Sequence, residues 1–145
     1  MSTCASSAET CTDEPIPQPT AEPMGDVLVV EDDPIVSSLI SHVLTRRGFA
    51  VQVVANGREA HDRLQAGTRP KVVVLDVMLP FVDGFELLDQ IRRSPTWRDV
   101  PIVMLTSKSQ ERYVVRAFDA GVNDYIVKPF RPAEFVARVH RLARG

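Results

Sequence analysis

The stretch VVVLDVMLP, Val72–Pro80, decides the fold because it reads as a buried strand that ends on a carboxylate. Four consecutive apolar residues precede Asp76, and three of them are β-branched, which is typical of a strand covered on both faces. A carboxylate at the end of such a strand loses hydration, so it needs a compensating partner. The remainder of the sequence must therefore provide a positive charge near Asp76.

Four other short segments rich in β-branched residues share this strand pattern, and helix-like segments separate all five. Together with Val72–Asp76, the predicted strands are Val27–Val30, Val51–Val54, Ile102–Thr106 and Tyr125–Val127. The predicted helix starts are Asp33-Pro34, Asn56-Gly57 and Asp83-Gly84, and the predicted helix ends are Gly48 and Gly67.

Alternation of five strands with five helices predicts an α/β fold in which helices cover both faces of a parallel sheet. The expected architecture is flavodoxin-like, a doubly wound (βα)5 domain with a five-stranded parallel sheet in the order 2-1-3-4-5. Ligands of such sheets bind beyond the carboxyl ends of the strands, where the strand order reverses. The residues that follow the strands are therefore the candidates for a functional site.

Composition and charge are those of an ordinary globular domain. The 145 residues carry a net charge of −2, which gives no basis for bulk attraction to nucleic acid. No apolar run approaches the ~18 residues of a membrane span, and the N-terminus lacks the basic residues and apolar core of a secretory signal. Cys4 and Cys11 are too few for a disulfide framework or a metal site. We expect a cytoplasmic protein that binds neither nucleic acid nor membrane directly.

Residues 1–25 differ in composition from the rest of the chain. They include four of the eleven prolines, four acidic residues and no Lys or Arg, so they cannot bury enough apolar area to fold. We predict a disordered N-terminal tail over residues 1–25 and one folded domain over residues 26–145. Met24 directly precedes the first predicted strand and is an alternative start of translation.

Acidic residues follow the first and third strands, which are neighbours in the predicted sheet order. Glu31 and Asp32 follow the first strand, and Asp76 ends the third, roughly 5 Å away across the sheet. Three carboxylates at one edge repel one another, and a divalent cation relieves that repulsion. Oxygen ligands suit Mg²⁺, with Mn²⁺ as an alternative. Asp33, just before Pro34, is predicted to cap a helix.

A lysine and a threonine at the same edge complete a set of groups suited to phosphoryl oxygens. Lys128 ends the fifth strand, roughly 10 Å from the third, and only a long cationic side chain could reach Asp76 across that gap. Thr106 ends the fourth strand, which lies one strand nearer to Asp76, and it offers a hydroxyl. Aspartate is an established nucleophile towards phosphorus, so the set predicts phosphoryl binding or transfer at Asp76.

The motifs around these residues resemble the receiver domain of two-component response regulators. They are VLVVEDD, VVVLDVMLPFVDGFELL, PIVMLTS and GVNDYIVKPF, in the family's order across residues 26–144. Each motif alone is common, but the four together are very specific. The resemblance implies that Asp76 accepts a phosphoryl group from a histidine kinase or a phosphotransfer protein.

The same resemblance implies a metal site and a set of switch residues. Mg²⁺ would be held by the side chains of Asp32 and Asp76 and the Met78 backbone carbonyl, with Glu31 binding directly or through water. The implied phosphoryl-binding and switch residues are Thr106, Ser107, Lys128 and Tyr125. The threonine moves towards the phosphoryl group, the lysine pairs with it, the serine leaves access open and the tyrosine turns inward. The Lys128-Pro129 bond is expected to be cis.

Relatives tune self-dephosphorylation through the residues two positions beyond the acceptor and the threonine. These are Met78 and Lys108 here. Neither side chain orients an attacking water well, so slow self-dephosphorylation is expected. The resemblance implies a phosphoacceptor signalling domain with at most autocatalytic phosphoryl transfer and self-dephosphorylation, and not a turnover enzyme.

The expected output surface is the face formed by the fourth helix, fifth strand and fifth helix, which would bind a downstream protein or a second copy. Asp124 and Arg138 match dimer ion-pair positions of the winged-helix branch of the family. Val114, however, stands where that branch has a basic partner for Glu134, which argues against the dimer. The chain would be a stand-alone receiver or the N-terminal part of a larger regulator.

Three rival functions belong to other classes. A haloacid-dehalogenase-type phosphatase also uses an aspartyl nucleophile but needs a second Asp where Met78 stands. A flavin or nucleotide binder would carry a Gly- or Ser/Thr-rich loop after the first strand, where this chain has Glu31-Asp32-Asp33. A pseudo-receiver that never takes up phosphate remains the principal alternative.

Overall fold

The computed structural model describes residues 24–66, 68–79 and 81–144. The predicted N-terminal tail lies outside the described residues except for Met24 and Gly25. Met24 packs against the core, and its N–H donates to the Gly48 carbonyl at 3.2 Å. The helix end predicted at Gly67 also lies outside the described residues.

Ten elements alternate along the chain as predicted. The strands are β1 Gly25–Val30, β2 Phe49–Val54, β3 Val72–Leu75, β4 Ile102–Thr106 and β5 Asp124–Val127. The helices are α1 Pro34–Arg47, α2 Gly57–Ala66, α3 Gly84–Arg93, α4 Glu111–Asp119 and α5 Pro132–Arg144. Because β3 ends at Leu75, Asp76 is the first residue after the strand, whereas the sequence pattern predicted it as the last residue of the strand. The first two strands begin two residues earlier than predicted.

The five strands form one parallel sheet in the order β2-β1-β3-β4-β5, which confirms the flavodoxin-like prediction. Val30 at the end of β1 lies opposite Leu75 at the end of β3. Thr106 at the end of β4 lies opposite Val127 at the end of β5. The residues that follow these strands therefore leave the sheet at one edge.

Helices cover both faces of the sheet, which explains the uninterrupted apolar character of β3. Val73 and Leu75 point into a cluster with residues of α2, α3 and α4. Val72 and Val74 point into a second cluster with residues of α1 and α5. Each of these four side chains is buried, and full burial stabilises an aliphatic side chain by about 1.5–3 kcal/mol. The free energy of this burial holds the end of β3, and hence Asp76, in place.

The predicted helix signals are present in the structure. The Asp33 carboxylate accepts from the Ile35 N–H at 2.9 Å, so Asp33 caps α1 as expected. Asp83 caps α3 in the same way. Gly48 ends α1 with a left-handed φ of 107°. A Cβ at Gly84 would overlap the Asp76 carbonyl oxygen, so only glycine lets α3 begin so close to the end of β3.

Among the described residues, no helix has the length and apolar character needed to cross a bilayer.

Candidate functional site

Three carboxylates meet at the carboxyl edge of the sheet, as the sequence predicts. Glu31 and Asp32 come from the loop after β1, and Asp76 follows β3. One carboxylate oxygen from each of the three lies within 4.8 Å of the others. Glu31 is only 3% exposed and Asp76 only 5%, whereas Asp32 faces solvent. The donor set is all oxygen and partly open to water, which fits a hard divalent cation such as Mg²⁺.

Lys128 supplies the positive charge that a buried carboxylate at Asp76 requires. Its ammonium donates to Asp76 Oδ2 at 3.0 Å and lies 2.8 Å from Glu31 Oε1. With Glu31 Oε1 the ammonium forms a buried ion pair. The Lys128-Pro129 bond is cis, as expected.

The charges of the pocket do not balance. Burial raises the pKa of Glu31 above its ordinary value, and the Asp76 charge adds to that effect, although Lys128 and the Asp33 N–H oppose it. Burial alone would lower the pKa of Lys128, but its contacts with Glu31 and Asp76 outweigh burial and raise it. One ammonium thus faces two buried carboxylates and an exposed third. The excess negative charge favours the binding of a divalent cation at this site.

Backbone and hydroxyl groups complete the surroundings of Asp76. The Met78 N–H donates to Asp76 Oδ1 at 3.1 Å, so both carboxylate oxygens have partners. Thr106 is fully buried at the end of β4, and its hydroxyl accepts from the Lys108 N–H at 3.3 Å. Ser107 is exposed beside it.

Tyr125 links β5 to the loop after β4. Its hydroxyl donates to the Lys108 carbonyl at 2.6 Å, and its ring packs against the cluster that includes α4. Burial and then the charge of Asp76 raise the pKa of this hydroxyl, so it stays a protonated donor. Lys108 therefore connects the two switch residues, because its N–H donates to the Thr106 hydroxyl and its carbonyl accepts from the Tyr125 hydroxyl.

The residues that the resemblance assigns to a dimer interface form ion pairs within the chain. Arg138 Nη1 lies 3.0 and 2.9 Å from the two oxygens of Asp124, and Arg138 Nη2 lies 2.9 Å from Glu134 Oε2. Arg141 Nη2 also approaches Asp124 at 3.5 Å. The Asp124 contact, followed by that of Glu134, raises the pKa of Arg138. The described chain thus satisfies these charges without a second copy.

A cleft opens beside Asp32, and its walls include residues that the sequence motifs did not indicate. The walls are formed by Asp32, Met78, Phe81, Asp83, Lys108, Tyr113 and Arg116, among others. The Arg116 guanidinium of α4 lies 3.9 Å from the ring centroid of Phe85 in α3. Phe81 has a φ of 73°. An apolar residue in the turn before Asp83-Gly84 is a signal that could have identified Phe81.

Known proteins of similar sequence indicate the same kind of domain as the fold and the acidic site do. The response regulator receiver domain family matches residues 27–140. The chain is 38% identical over 121 residues to the DNA-binding dual master transcriptional regulator RpaA of Synechocystis sp., a match that covers 83% of this chain and 50% of that protein. The chain spans about half the length of the curated relatives it matches.

Two solved receiver domains are similar in structure. The signal receiver domain of a signal transduction histidine kinase from Syntrophus aciditrophicus is 36% identical with a TM-score of 0.75, covering 83% of this chain and 91% of that one. The receiver domain of the sensor histidine kinase PA1611 from Pseudomonas aeruginosa, with a magnesium ion in its active site cleft, is 31% identical with a TM-score of 0.74, covering 83% and 98%.

The doubly wound fold, the acidic cluster and these similarities define a signalling domain. The chain belongs to the response regulator receiver domain family of two-component systems. It is homologous to phosphorylatable receivers, and the pseudo-receiver alternative is not favoured.

Proposed function

We propose that Asp76 is the phosphoacceptor of this receiver and that its phosphorylation depends on Mg²⁺. The observation that carries the proposal is the pairing of the buried Asp76 carboxylate with Lys128 at 3.0 Å, next to Glu31 and Asp32. This arrangement places a cation beside the nucleophile, where phosphoryl oxygens would lie.

The donor in this proposal is the phosphohistidine of a histidine kinase or phosphotransfer protein. A carboxylate oxygen of Asp76 forms a bond to phosphorus while the phosphorus–nitrogen bond to the donor imidazole breaks. The bonding electron pair stays on the imidazole nitrogen, which takes up a proton from solvent. Lys128 is in contact with the carboxylate and would neutralise charge on the transferred group. Self-catalysed transfer from small phosphodonors would follow the same course.

The metal ligands in this proposal are Asp32, Asp76 and the Met78 backbone carbonyl, with Glu31 binding directly or through water. The oxygen-only donor set supports Mg²⁺ and admits Mn²⁺. When bound, the cation would neutralise phosphoryl charge that Lys128 alone cannot.

The switch in this proposal joins Asp76 to the face formed by α4, β5 and α5. A phosphoryl group on Asp76 adds acceptor oxygens that Lys128 and Thr106 can bind. Moving an equilibrium from mostly inactive to mostly active needs roughly 5.5 kcal/mol, and a few charge-assisted hydrogen bonds of about 1.5–3 kcal/mol each supply it. Tyr125 would transmit the movement of Thr106 because both contact Lys108.

The output of that face is binding of a downstream protein or formation of a homodimer in the cytoplasm. The internal Asp124–Arg138 pair and the absence of a basic residue at Val114 favour a protein partner over the dimer. Met78 and Lys108 support a long-lived phosphoryl group, since neither side chain orients an attacking water well.

The proposal is tested by intact mass after incubation with phosphoramidate. We expect one added phosphoryl group on wild type in Mg²⁺, none with chelator and none on Asp76→Asn. Asp83→Asn is the matched control, because it alters another Asp of the same cleft and Asn still caps a helix. Labelling of Asp76→Asn at the wild-type rate would refute the assignment.

A further inference from the structure

Phe81, in the loop between β3 and α3, has an unusual backbone conformation. Its φ of 73° is positive, and among the described residues it is the one non-glycine residue in that region. A Cβ in the left-handed region meets the following carbonyl oxygen, and a phenylalanine has no polar group that could compensate as Asn or Asp does. Strain of this kind persists where it serves a purpose outside the fold.

The Phe81 side chain adds little to the core. It is 70% exposed and belongs to neither hydrophobic cluster, whereas its neighbours Leu79 and Val82 pack against the cluster of α2, α3 and α4. The guanidinium of Arg58, from α2, lies 4.6 Å from the centroid of its ring. That cation–π contact orients the ring without burying it.

The position of Phe81 relates it to the acceptor. Phe81 and Met78, which is 55% exposed, form part of the wall of the cleft that also contains Asp32 and Lys108. Asp76 is 5% exposed and adjoins this cleft, because its carboxylate accepts from the Met78 N–H and lies within 4.8 Å of the Asp32 carboxylate. A phosphohistidine that approaches Asp76 from the side of this cleft brings the protein surface around it against Met78 and Phe81.

We propose that Phe81 is a recognition residue for the protein phosphodonor. Its strained, exposed ring, oriented by Arg58, packs against apolar side chains that flank the donor's phosphohistidine and seats the donor over Asp76. The inference rests on the proposed phosphoacceptor role of Asp76. It predicts that Phe81 contributes to phosphoryl transfer from a protein donor. It contributes nothing to phosphoryl transfer from a small molecule, because such a donor does not bind through a protein surface.

The test compares two donors on the same variants of the full chain. The protein donor is the autophosphorylated histidine kinase that labels wild type fastest in a panel of purified kinases from the source organism, and the small donor is phosphoramidate. The variants are Phe81→Ala, Phe81→Asn, which suits a left-handed backbone, and Phe81→Tyr, which keeps the ring. Phe118→Ala is the matched control, because Phe118 is a 47% exposed aromatic on α4 outside the cleft wall.

We expect Phe81→Ala and Phe81→Asn to lower the second-order rate of transfer from the kinase about tenfold, as loss of a central interface aromatic does. Labelling by phosphoramidate should stay within twofold of wild type, and Phe81→Tyr and Phe118→Ala should transfer normally from both donors. Phe81→Asn should also unfold at a temperature no lower than wild type, because it relieves the backbone strain.

Three results would overturn the inference. Equal losses with both donors would place Phe81 in the chemistry of the site, and unchanged transfer from the kinase would remove its role altogether. Wild type labelled by phosphoramidate but by no kinase would show that no protein donor is seated there. Wild type labelled by neither donor would instead refute the phosphoacceptor proposal itself.

Discussion

Replacing Lys128 by Met removes the cation between two buried carboxylates while keeping most of the length and apolar surface of the side chain. The Lys128 side chain is 20% exposed, and it lies 2.8 Å from Glu31 Oε1 and 3.0 Å from Asp76 Oδ2. Removing one partner of a buried ion pair costs about 3–5 kcal/mol. Since water reaches part of this pocket, we expect a loss of about 3 kcal/mol in the free energy of unfolding without metal, or roughly 12 °C in the melting temperature.

The pH dependence of Lys128→Met gives the loss a signature. Glu31 already has a raised pKa through burial, and without the ammonium it should rise further. A carboxyl whose pKa is higher folded than unfolded binds more protons in the native state, so its penalty is complete above the folded pKa and absent below the unfolded one. The deficit relative to wild type should therefore shrink as the pH falls through the folded pKa of Glu31 towards its ordinary value of 4.5.

Urea unfolding at several pH values, with chelator and with Mg²⁺, measures these effects. Mg²⁺ should restore part of the loss because a cation again faces the carboxylates. Lys108→Met is the matched control, since the Lys108 ammonium lies 5.4 Å from the Tyr113 ring centroid and pairs with neither carboxylate, and it should cost less than 1 kcal/mol. A loss below 1 kcal/mol for Lys128→Met at neutral pH, unaffected by Mg²⁺, would refute the reasoning.

Three further predictions concern the same site. Mg²⁺ at 100 times its dissociation constant should stabilise wild type by about 2.7 kcal/mol in thermal unfolding, and Asp32→Asn should lose most of that gain; an equal gain in the variant would exclude Asp32 as a ligand. Asp76→Asn should be about 1 kcal/mol more stable than wild type without metal, because it removes one of the clustered negative charges. Urea unfolding in chelator measures this difference, and a lower stability of the variant would mean that repulsion among the carboxylates does not dominate. Tyr125→Phe should cost about 1 kcal/mol through the lost 2.6 Å bond to Lys108, and an unchanged midpoint would mean that water replaces the hydroxyl.

The sequence predicted the sheet and its functional edge because both depend on short-range patterns. Four apolar residues before Asp76 indicated a strand covered on both faces, and the two hydrophobic clusters confirm it. The Asp33-Pro34 pair indicated a helix start that local hydrogen bonding alone determines. Likewise, the reach of Lys128 across two strands follows from strand spacing and side-chain length.

Interactions between segments distant in sequence could not be predicted in this way. Arg92 donates to the carbonyls of Arg98, Val100 and Gly121 and to Asn123 Oδ1, and so joins the end of α3 to the loops that precede β4 and β5. Nothing in its sequence neighbourhood distinguishes it from the solvent-exposed Arg93. The left-handed backbone of Phe81 is equally hidden, because propensity alone would have placed glycine or asparagine there.

The most direct test of the central claim is to trap the phosphorylated residue itself. Wild type would be incubated with phosphoramidate and Mg²⁺, reduced with borohydride, which converts an aspartyl phosphate to homoserine, and mapped by peptide mass spectrometry. We expect homoserine at position 76 and unmodified Asp at 32, 33 and 83. Homoserine at another position, or none in protein carrying the added phosphoryl mass, would contradict the assignment of Asp76 as the phosphoacceptor.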